Sequence, residues 1–251
     1  MISKNKAKYF AQLSSKKQRS KQGEFLIEGK KIFEELVASN WEIIETYATA
    51  KFMTEHHDII SNTSCEEVDE KELKAVGNLE TNNSVLSLVR AKQMDIANYD
   101  WKSNTTLILD DIKDPGNLGT IIRTASWFGI SNIICSKETV DLYNPKVIQA
   151  SMGAIFRCNV YYTDLEALLR EASSQPSFPI FGAFLNGESP QKLRKQKKCF
   201  VVLGSESHGI SEKLHALIDT KITIAQGSLN ETESLNVAIA NAILCYELSN
   251  V

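Results

Sequence analysis

Three short segments combine polar side chains with glycines in a way that suits ligand chemistry. The first runs from Asp114 to Arg123 and has the spacing D-P-G-N-x-G-x-x-x-R. It follows the apolar run 106–109, which predicts a buried strand, and leads into apolar residues spaced as one face of a helix. Because α/β proteins commonly bind ligands at a turn between strand and helix, Asn117 and Arg123 are candidates for contact with a phosphate or a ribose.

A structural role explains Asn117 more easily than it explains Arg123. Arg123 lies away from the apolar stripe on a helical wheel, and its guanidinium offers a planar fork that suits a phosphate. Asn117 sits where a helix N-cap belongs, so capping alone could account for it. Asp114 before Pro115 could likewise be simple turn chemistry. The complete spacing is nevertheless far more specific than a lone pair of glycines.

The second segment begins where the apolar run 199–203 meets Gly204, with Glu206 and His208 close behind. Glycine lets the backbone approach a ligand closely. His208 is an acid–base candidate by residue type, although a loop position beside a glycine needs no chemistry. Taken alone, the segment also fits an ordinary strand-to-helix turn.

The third segment opens a helix predicted over 234–248. The helix is apolar nearly all round, which predicts burial on most of its sides. Ser234 and Asn236 place polar groups at its start, where they could cap the helix or also hold a ligand.

Hydrophobic patterning divides the chain into two α/β regions. Residues 1–22 predict a basic helix, 28–39 a second helix, and 41–48 and 84–90 two strands, while the polar stretch 91–104 reads as a linker. From residue 105 strands alternate with helices, which favours a mainly parallel sheet covered by helices. The strands predicted there are 106–110, 132–135, 158–161, 179–183, 199–203 and 221–224. The helices predicted there are 117–128, 144–152, 163–172 and 234–248.

Charge is spread unevenly along the sequence. The whole chain of 251 residues carries a net charge of only −3, but residues 1–31 hold nine Lys or Arg against two Glu. This asymmetry suggests contact with a polyanion at the N-terminal end, and a solvated terminus would explain it equally well. Lys192 to Lys198 form a second basic cluster, which reads as an exposed helix or loop face.

The five cysteines favour a reduced, cytosolic compartment. They are odd in number and widely spaced, and none forms a C-x-x-C pair. Neither a disulfide framework nor a zinc site is therefore indicated, and no metal is expected. The sequence also predicts no signal peptide and no segment that spans a membrane.

The three segments, in this order, resemble the SpoU/TrmH family of RNA 2′-O-ribose methyltransferases, within the SPOUT superfamily. The matching residues are Asp114 to Arg123, Leu203 to Glu206 with Gly209-Ile210, and Ser234-Leu-Asn236. The resemblance covers about residues 105–250, and we expect a methyltransferase domain over 105–251. Residues 1–92 are similar to the family's RNA substrate-binding domain, a smaller α/β domain with a ribosomal-protein-like fold.

The resemblance implies a catalytic α/β domain with a deep C-terminal trefoil knot, an exception to the rule that chains do not thread loops. It implies S-adenosylmethionine as cofactor, bound at the knot, and a homodimer joined through the knot region. The positions that match the family's cofactor site are Leu203, Gly204, Ile224 and Leu235. The positions that match its catalytic and substrate residues are Arg123, Asn117, Glu206, Ser234 and Asn236.

Two departures from the family pattern concern the cofactor side. Position 207 is serine where the family usually has glycine. The loop 225–233 is slightly longer than usual and lacks the common proline after Ile224. Since neither departure replaces a catalytic position, we expect activity to survive and cofactor affinity to be the more affected property.

The implied reaction is transfer of a methyl group to a ribose 2′-oxygen, with ribosomal RNA favoured over transfer RNA. Arg123 either relays the 2′-hydroxyl proton with help from a substrate phosphate or stabilises the developing alkoxide. A transfer RNA methyltransferase and a non-catalytic ribosome-assembly factor of the same fold stay open as alternatives. A nucleotide-dependent oxidoreductase fits less well, because no G-x-G-x-x-G follows the strand.

Overall fold

The computed structural model describes residues 1–61, 63–77, 82, 84–175, 177–194, 196–227 and 233–249. They form two compact units. The first unit contains Met1–Gln93 together with Asp141–Arg157, and the second contains Met94–Val140 and the chain from Cys158 onward. The segment 141–157 lies inside the predicted methyltransferase domain, yet it packs within the N-terminal unit.

Helices and strands alternate along both units. In chain order they begin with α1 Lys4–Gln12, α2 Lys16–Gln22, β1 Glu24–Glu28, α3 Lys30–Val37, β2 Ile43–Ala48, α4 Ala50–Glu55, α5 His57–Ile60, β3 Cys65–Glu67, α6 Glu70–Val76 and β4 Val85–Arg90. They continue with β5 Thr106–Leu109, α7 Pro115–Trp127, β6 Asn132–Ser136, α8 Pro145–Ser151, β7 Asn159–Thr163, α9 Leu165–Ser173, β8 Ile180–Glu188, β9 Phe200–Leu203, α10 Glu212–His215, β10 Thr220–Ile222 and α11 Val237–Ser249.

The first unit is built on a four-stranded sheet in the order β1-β4-β2-β3, in which only β2 and β3 run parallel. Phe10 and Leu13, from α1 and the residue after it, pack into one apolar cluster with the sheet residue Tyr47. A second cluster joins α3 to Ile148 and Phe156 of the 141–157 segment.

The single basic helix predicted over residues 1–22 is wrong, because the structure has two helices. Helix α1 ends at Leu13, its C-cap, and α2 begins after Ser15. The second helix was also predicted to start too early, since Glu28 ends β1 and the chain turns at Gly29 before α3. Gly29 has a φ of 90°, a conformation that favours glycine, so this residue separates the strand from the helix.

Residues 94–104 of the stretch 91–104, which was predicted as a linker, belong to the second unit and pack within it. Trp101 is buried and contacts Phe178 and Phe200 edge-on or tilted, with ring centroids 4.9 Å and 5.4 Å away. The ring of Tyr99 stacks on Tyr161 at 4.9 Å. The residues around Tyr99 and Trp101 are mostly polar, so the sequence alone does not indicate that these two rings make apolar contacts.

The second unit contains a six-stranded sheet in the order β10-β8-β9-β5-β6-β7. Every pair of neighbours is parallel, which confirms the predicted architecture. All six predicted strands are present, although β8 continues beyond its predicted end to Glu188. The trefoil knot that the family resemblance implies stays a prediction.

Helix α11 is less buried than its sequence predicts. It starts at Val237, after Ser234 and Asn236, and packs against α7. Ile239 and Tyr246 are each about half exposed, at 51% and 53%. The helix is apolar all round, but one of its faces is therefore not covered by the rest of the single chain.

Most of the cysteine side chains are buried. Burial raises the pKa of the Cys199 and Cys245 thiols to about 12. All five cysteines are free thiols. Across the described ranges, the chain forms no helix long and apolar enough to cross a membrane.

Candidate active site

The parallel pairing of β5 and β9 brings two of the three candidate segments together. Leu109 at the end of β5 lies opposite Leu203 at the end of β9. The next backbone amide, that of Asp110, donates to the Leu203 carbonyl at 2.9 Å. The turns that leave these two strands therefore start side by side at the carboxyl edge of the sheet.

Asp114, rather than Asn117, caps helix α7. The Asp114 carboxylate accepts a hydrogen bond of 2.8 Å from the backbone N–H of Asn117. Pro115 occupies the first helical position, where its missing N–H costs nothing. Asn117 is consequently the third residue of the helix, and its side chain is not used for capping.

The Asn117 side chain instead joins the three candidate segments. Its amide nitrogen donates to the Glu206 carboxylate from the turn after β9. Its amide oxygen accepts from the Asn236 side chain at 3.0 Å. We call the side chains of Asn236, Asn117 and Glu206 the amide–carboxylate chain.

Asn236 caps α11 as well as closing this chain. Its side-chain oxygen accepts from the backbone N–H groups of Ala238 and Ile239 at 2.9 Å and 3.3 Å. One residue therefore caps the helix and contacts Asn117, so the two roles that the sequence left open are compatible. Ser234 is exposed in the non-helical segment before it and does not cap the helix.

Arg123 is exposed on α7, two turns after the start of the helix. Within the described ranges its guanidinium has no hydrogen-bond or ion-pair partner. Its planar set of donors is therefore available to an anionic ligand, which is the property that the sequence suggested.

The four predicted cofactor positions have different environments. Leu203 is buried at the end of β9, and Gly204 follows it half-buried. Ile224 is half-buried just after β10, whereas Leu235 is 49% exposed. Strands β9, β8 and β10 are neighbours and run parallel, so their carboxyl ends lie at the same edge of the sheet. This edge therefore carries Leu203, Gly204 and Ile224.

Gly204 is the point at which two backbone segments approach most closely in this site. A methyl group on its Cα would lie 2.0 Å from the carbonyl carbon of Gly209 and 2.1 Å from the nitrogen of Ile210. Only glycine fits there, because the backbone of Gly209 and Ile210 occupies the space that a side chain would need.

Sequence reasoning missed Asp110 and did not recognise Asp114 as the cap of α7. Asp110 is buried and accepts from the Ser211 N–H at 2.8 Å, so it ties the end of β5 to the segment after the second turn. Nothing in the local sequence signals this contact. The cap at Asp114 did have a signal, since Asp followed by Pro matches an N-cap followed by the first helical position. Among the described residues, no cluster of three or more His, Cys, Asp or Glu suits a metal ion.

Comparisons with known proteins identify the family of this chain. The model of the SpoU rRNA Methylase family matches residues 104–246, and that of the MRM3-like substrate binding domain matches residues 4–87. The chain is 29% identical to the 23S rRNA (guanosine(2553)-2'-O)-methyltransferase RlmP of Bacillus subtilis, over 97% of this chain and 95% of the relative.

Two solved structures cover nearly the whole chain. A putative RNA methyltransferase of the TrmH family from Porphyromonas gingivalis superposes with a TM-score of 0.85 at 32% identity, covering 99% of this chain and 98% of that one. An AdoMet-bound rRNA methyltransferase from Sinorhizobium meliloti gives 0.85 at 25% identity, covering 99% and 96%. With the three matching segments joined at one edge of its parallel sheet, this chain belongs to the SpoU rRNA methylase family.

Proposed function

We propose that this protein transfers a methyl group from S-adenosylmethionine to a ribose 2′-hydroxyl in ribosomal RNA. The observation that carries the proposal is the amide–carboxylate chain, which joins the three family segments. Its central residue, Asn117, lies on the same helix that presents the exposed guanidinium of Arg123. The family and the cofactor-bound relative support an RNA methyltransferase that uses S-adenosylmethionine.

Ribosomal RNA is favoured because relatives that align along nearly the full chain are named for it. RlmP is named for a guanosine of 23S rRNA, and the Sinorhizobium protein is named an rRNA methyltransferase. Several other relatives are named tRNA/rRNA methyltransferases, so transfer RNA is the second candidate substrate.

The residues at the carboxyl edge of the second sheet fit a cofactor held through backbone groups. Gly204 has no room for a side chain, and Leu203 beside it is fixed in the sheet. We assign Leu203, Gly204, Ile224 and Leu235 to S-adenosylmethionine, which supplies an electrophilic methyl group when bound. The extra Ser207 side chain lies on the neighbouring turn, where it alters the surroundings of this site.

Arg123 is the group that we assign to the ribose and its phosphate. A ribose hydroxyl is a poor nucleophile until its proton is removed or polarised. An arginine side chain offers only donors and no acceptor, so it is unsuited to take up the proton itself. Arg123 therefore either relays the proton to a phosphate oxygen of the substrate or stabilises the developing alkoxide by charge.

We assign the other polar side chains of the three segments to orienting the ribose for this reaction. Glu206 and Asn117 are mutually hydrogen-bonded, so together they fix one wall of the substrate site. Asn236 extends that wall to the start of α11, and Ser234 supplies an exposed hydroxyl just before it.

A basic surface on α1 and α2 would supply affinity for the RNA backbone. Two of the basic residues there are used structurally, since Lys6 pairs with Glu45 at 2.6 Å and buried Arg19 pairs with Asp141. The others, which we call the N-terminal lysine surface, are exposed and have no ion pair among the described residues: Lys4, Lys8, Lys16, Lys17 and Lys21.

Changing Lys8, Lys16 and Lys17 together to glutamine should weaken binding to a 23S rRNA transcript and flatten its salt dependence. Each lost phosphate contact lowers the slope of log K against log salt by about 0.7–0.9, so three contacts account for about 2–3. Filter binding from 50 to 300 mM salt measures this slope. A control triple variant at Lys51, Lys71 and Lys74 makes the same change in net charge on the same unit. Equal slopes for the two variants would contradict the assignment.

We also propose a homodimer formed through the exposed apolar face of α7 and α11. Trp127 is 85% exposed, and Ile239, Tyr246 and Leu235 are each about half exposed. Large apolar side chains left this exposed at two packed helices are typical of an interface. Sedimentation velocity measures the mass directly, and a purely monomeric chain at micromolar concentration would contradict this part of the proposal.

Labelled methyl transfer tests the function itself. The protein is incubated with tritiated S-adenosylmethionine and either ribosomal or transfer RNA from cells that lack the gene. Label is expected in ribosomal RNA, at a ribose that resists alkaline cleavage. Label in transfer RNA would select the second substrate, and binding without transfer would favour a non-catalytic assembly factor. We place the protein in the cytoplasm, which its five free thiols support.

A further inference from the structure

The turn after β9 is closed by its own hydrogen bonds and presents three exposed side chains. Ser205 and Gly209 exchange two backbone hydrogen bonds of 3.0 Å and 2.9 Å across its base. The Ser205 hydroxyl also accepts from the backbone N–H of His208 at 3.2 Å. Glu206, Ser207 and His208 form the exposed tip, so their side chains are presented by an ordered backbone.

Two of these side chains form a pair of their own. The Ser207 hydroxyl lies 2.8 Å from Nδ1 of His208. This contact occupies one ring nitrogen and orients the imidazole, while Nε2 has no hydrogen-bond partner among the described residues. When the hydroxyl donates to Nδ1, the neutral ring carries its proton on Nε2, and the protonated ring also has an N–H there.

The Ser207–His208 pair contributes little to the stability of the fold. Both side chains are exposed, and a solvent-exposed hydrogen bond adds little to the stability of a fold. The turn is closed by backbone bonds and by Ser205, and Gly209 supplies the left-handed conformation with a φ of 67°. The oriented imidazole is therefore available for a ligand.

The position of His208 indicates which kind of ligand its imidazole would bind. His208 is two residues from Glu206 on the same short turn, and Glu206 ends the amide–carboxylate chain of the substrate site. The tip that carries His208 is thus adjacent to the site that we assign to the ribose, where the sugar–phosphate backbone of a bound strand would run. Contacts from such donors to phosphate fix the register of a nucleic acid on a protein.

We propose that His208, oriented by Ser207, donates a hydrogen bond from Nε2 to a phosphate of the substrate RNA next to the methylated ribose. The inference rests on the proposed function, because it assumes that RNA occupies this edge. His208 is a positioning residue in this role, and the methyl transfer itself does not pass through it.

Changing His208 to alanine should raise the Kd for a 23S rRNA transcript about tenfold, as expected for one hydrogen bond to a charged group. The Kd for S-adenosylmethionine and kcat at saturating RNA should stay within about twofold. His208→Gln keeps an N–H donor on a side chain of similar length and should recover most of the affinity. Ser207→Ala should weaken RNA binding in the same direction by a smaller factor.

His57→Ala is the matched control, because His57 is an exposed histidine on α5, remote in sequence from the turn. Unchanged RNA affinity in His208→Ala, or an equal loss in His57→Ala, would overturn the proposal. A change confined to cofactor affinity would also overturn it. Wild-type protein that binds the transcript without methylating it would refute the proposed function instead. The role of His208 could still be judged in that case, because the ratio of the Kd of His208→Ala to that of the wild type measures its contribution to RNA binding.

Discussion

Replacing Arg123 with alanine should lower kcat for RNA methylation about 10³-fold or more and leave the Kd for S-adenosylmethionine nearly unchanged. Loss of one donor directed at developing negative charge typically costs about 10²–10³ in kcat, and this side chain is also assigned to the substrate phosphate. Arg123 is exposed and has no partner among the described residues, so the variant should keep its melting temperature. Single-turnover transfer of tritiated methyl groups measures the rate, and calorimetry measures cofactor binding.

Two further variants separate chemistry from general charge. Arg170 is an exposed arginine on α9 that pairs with Glu166 on its own helix and with no other carboxylate of the described residues, so Arg170→Ala controls for the loss of one positive charge. Arg123→Lys keeps the charge but loses the planar fork that contacts two oxygens at once, and it should recover little activity. Normal turnover by Arg123→Ala would show that the assignment of this residue is wrong, whatever the control does.

The strands and the site segments of the second unit could be predicted from sequence for a physical reason. Parallel strands covered on both faces read as continuous apolar runs, and 106–109 and 199–203 are such runs. Each ends at polar residues, so the position of the chemistry along the chain was also visible. Periodicity does not give the spatial order of strands. The pairing of β5 with β9, which brings Asn117 to Glu206, could therefore not be derived from the pattern alone.

The errors have identifiable causes in particular residues. Asn117 was interpreted as a possible cap because it precedes the apolar face of α7, whereas Asp114 and Pro115 start the helix one turn earlier. Strand β1 was partly absorbed into the following helix because its five residues are too few to show alternation clearly. Trp101 lies among polar residues, and only the tertiary contact with Phe178 and Phe200 accounts for its burial.

Helix α11 shows the same limitation in another form. Its composition predicted burial on most sides, and the single chain leaves Ile239 and Tyr246 half exposed. Composition reports how much apolar surface a helix carries, but it does not say which molecule covers that surface. The proposed dimer would reconcile the two, because a second copy would cover the exposed face.

Changing Gly204 to alanine should lower the free energy of unfolding by about 3 kcal/mol or more and abolish measurable cofactor binding. The added methyl group would meet backbone atoms of Gly209 and Ile210 at 2.0 Å and 2.1 Å, and neither can rotate away as a side chain could. That backbone is held by the Ser205–Gly209 bonds, so relief requires breaking them at about 1 kcal/mol each, in addition to about 1–3 kcal/mol of overpacking. Thermal unfolding and calorimetry with S-adenosylmethionine measure the two effects.

Gly227→Ala provides the control, because a methyl group there meets no atom of the described residues within 4 Å and the φ of this residue does not require glycine. It should be neutral or stabilising by up to about 1 kcal/mol, since alanine restricts the unfolded chain. A Gly204→Ala variant that melts with the wild type would contradict the close approach. If it loses stability but binds the cofactor normally at a temperature where it is folded, Gly204 serves the fold alone. The assignment of S-adenosylmethionine to this edge of the sheet would then have to move away from Gly204, although the close backbone approach would stand.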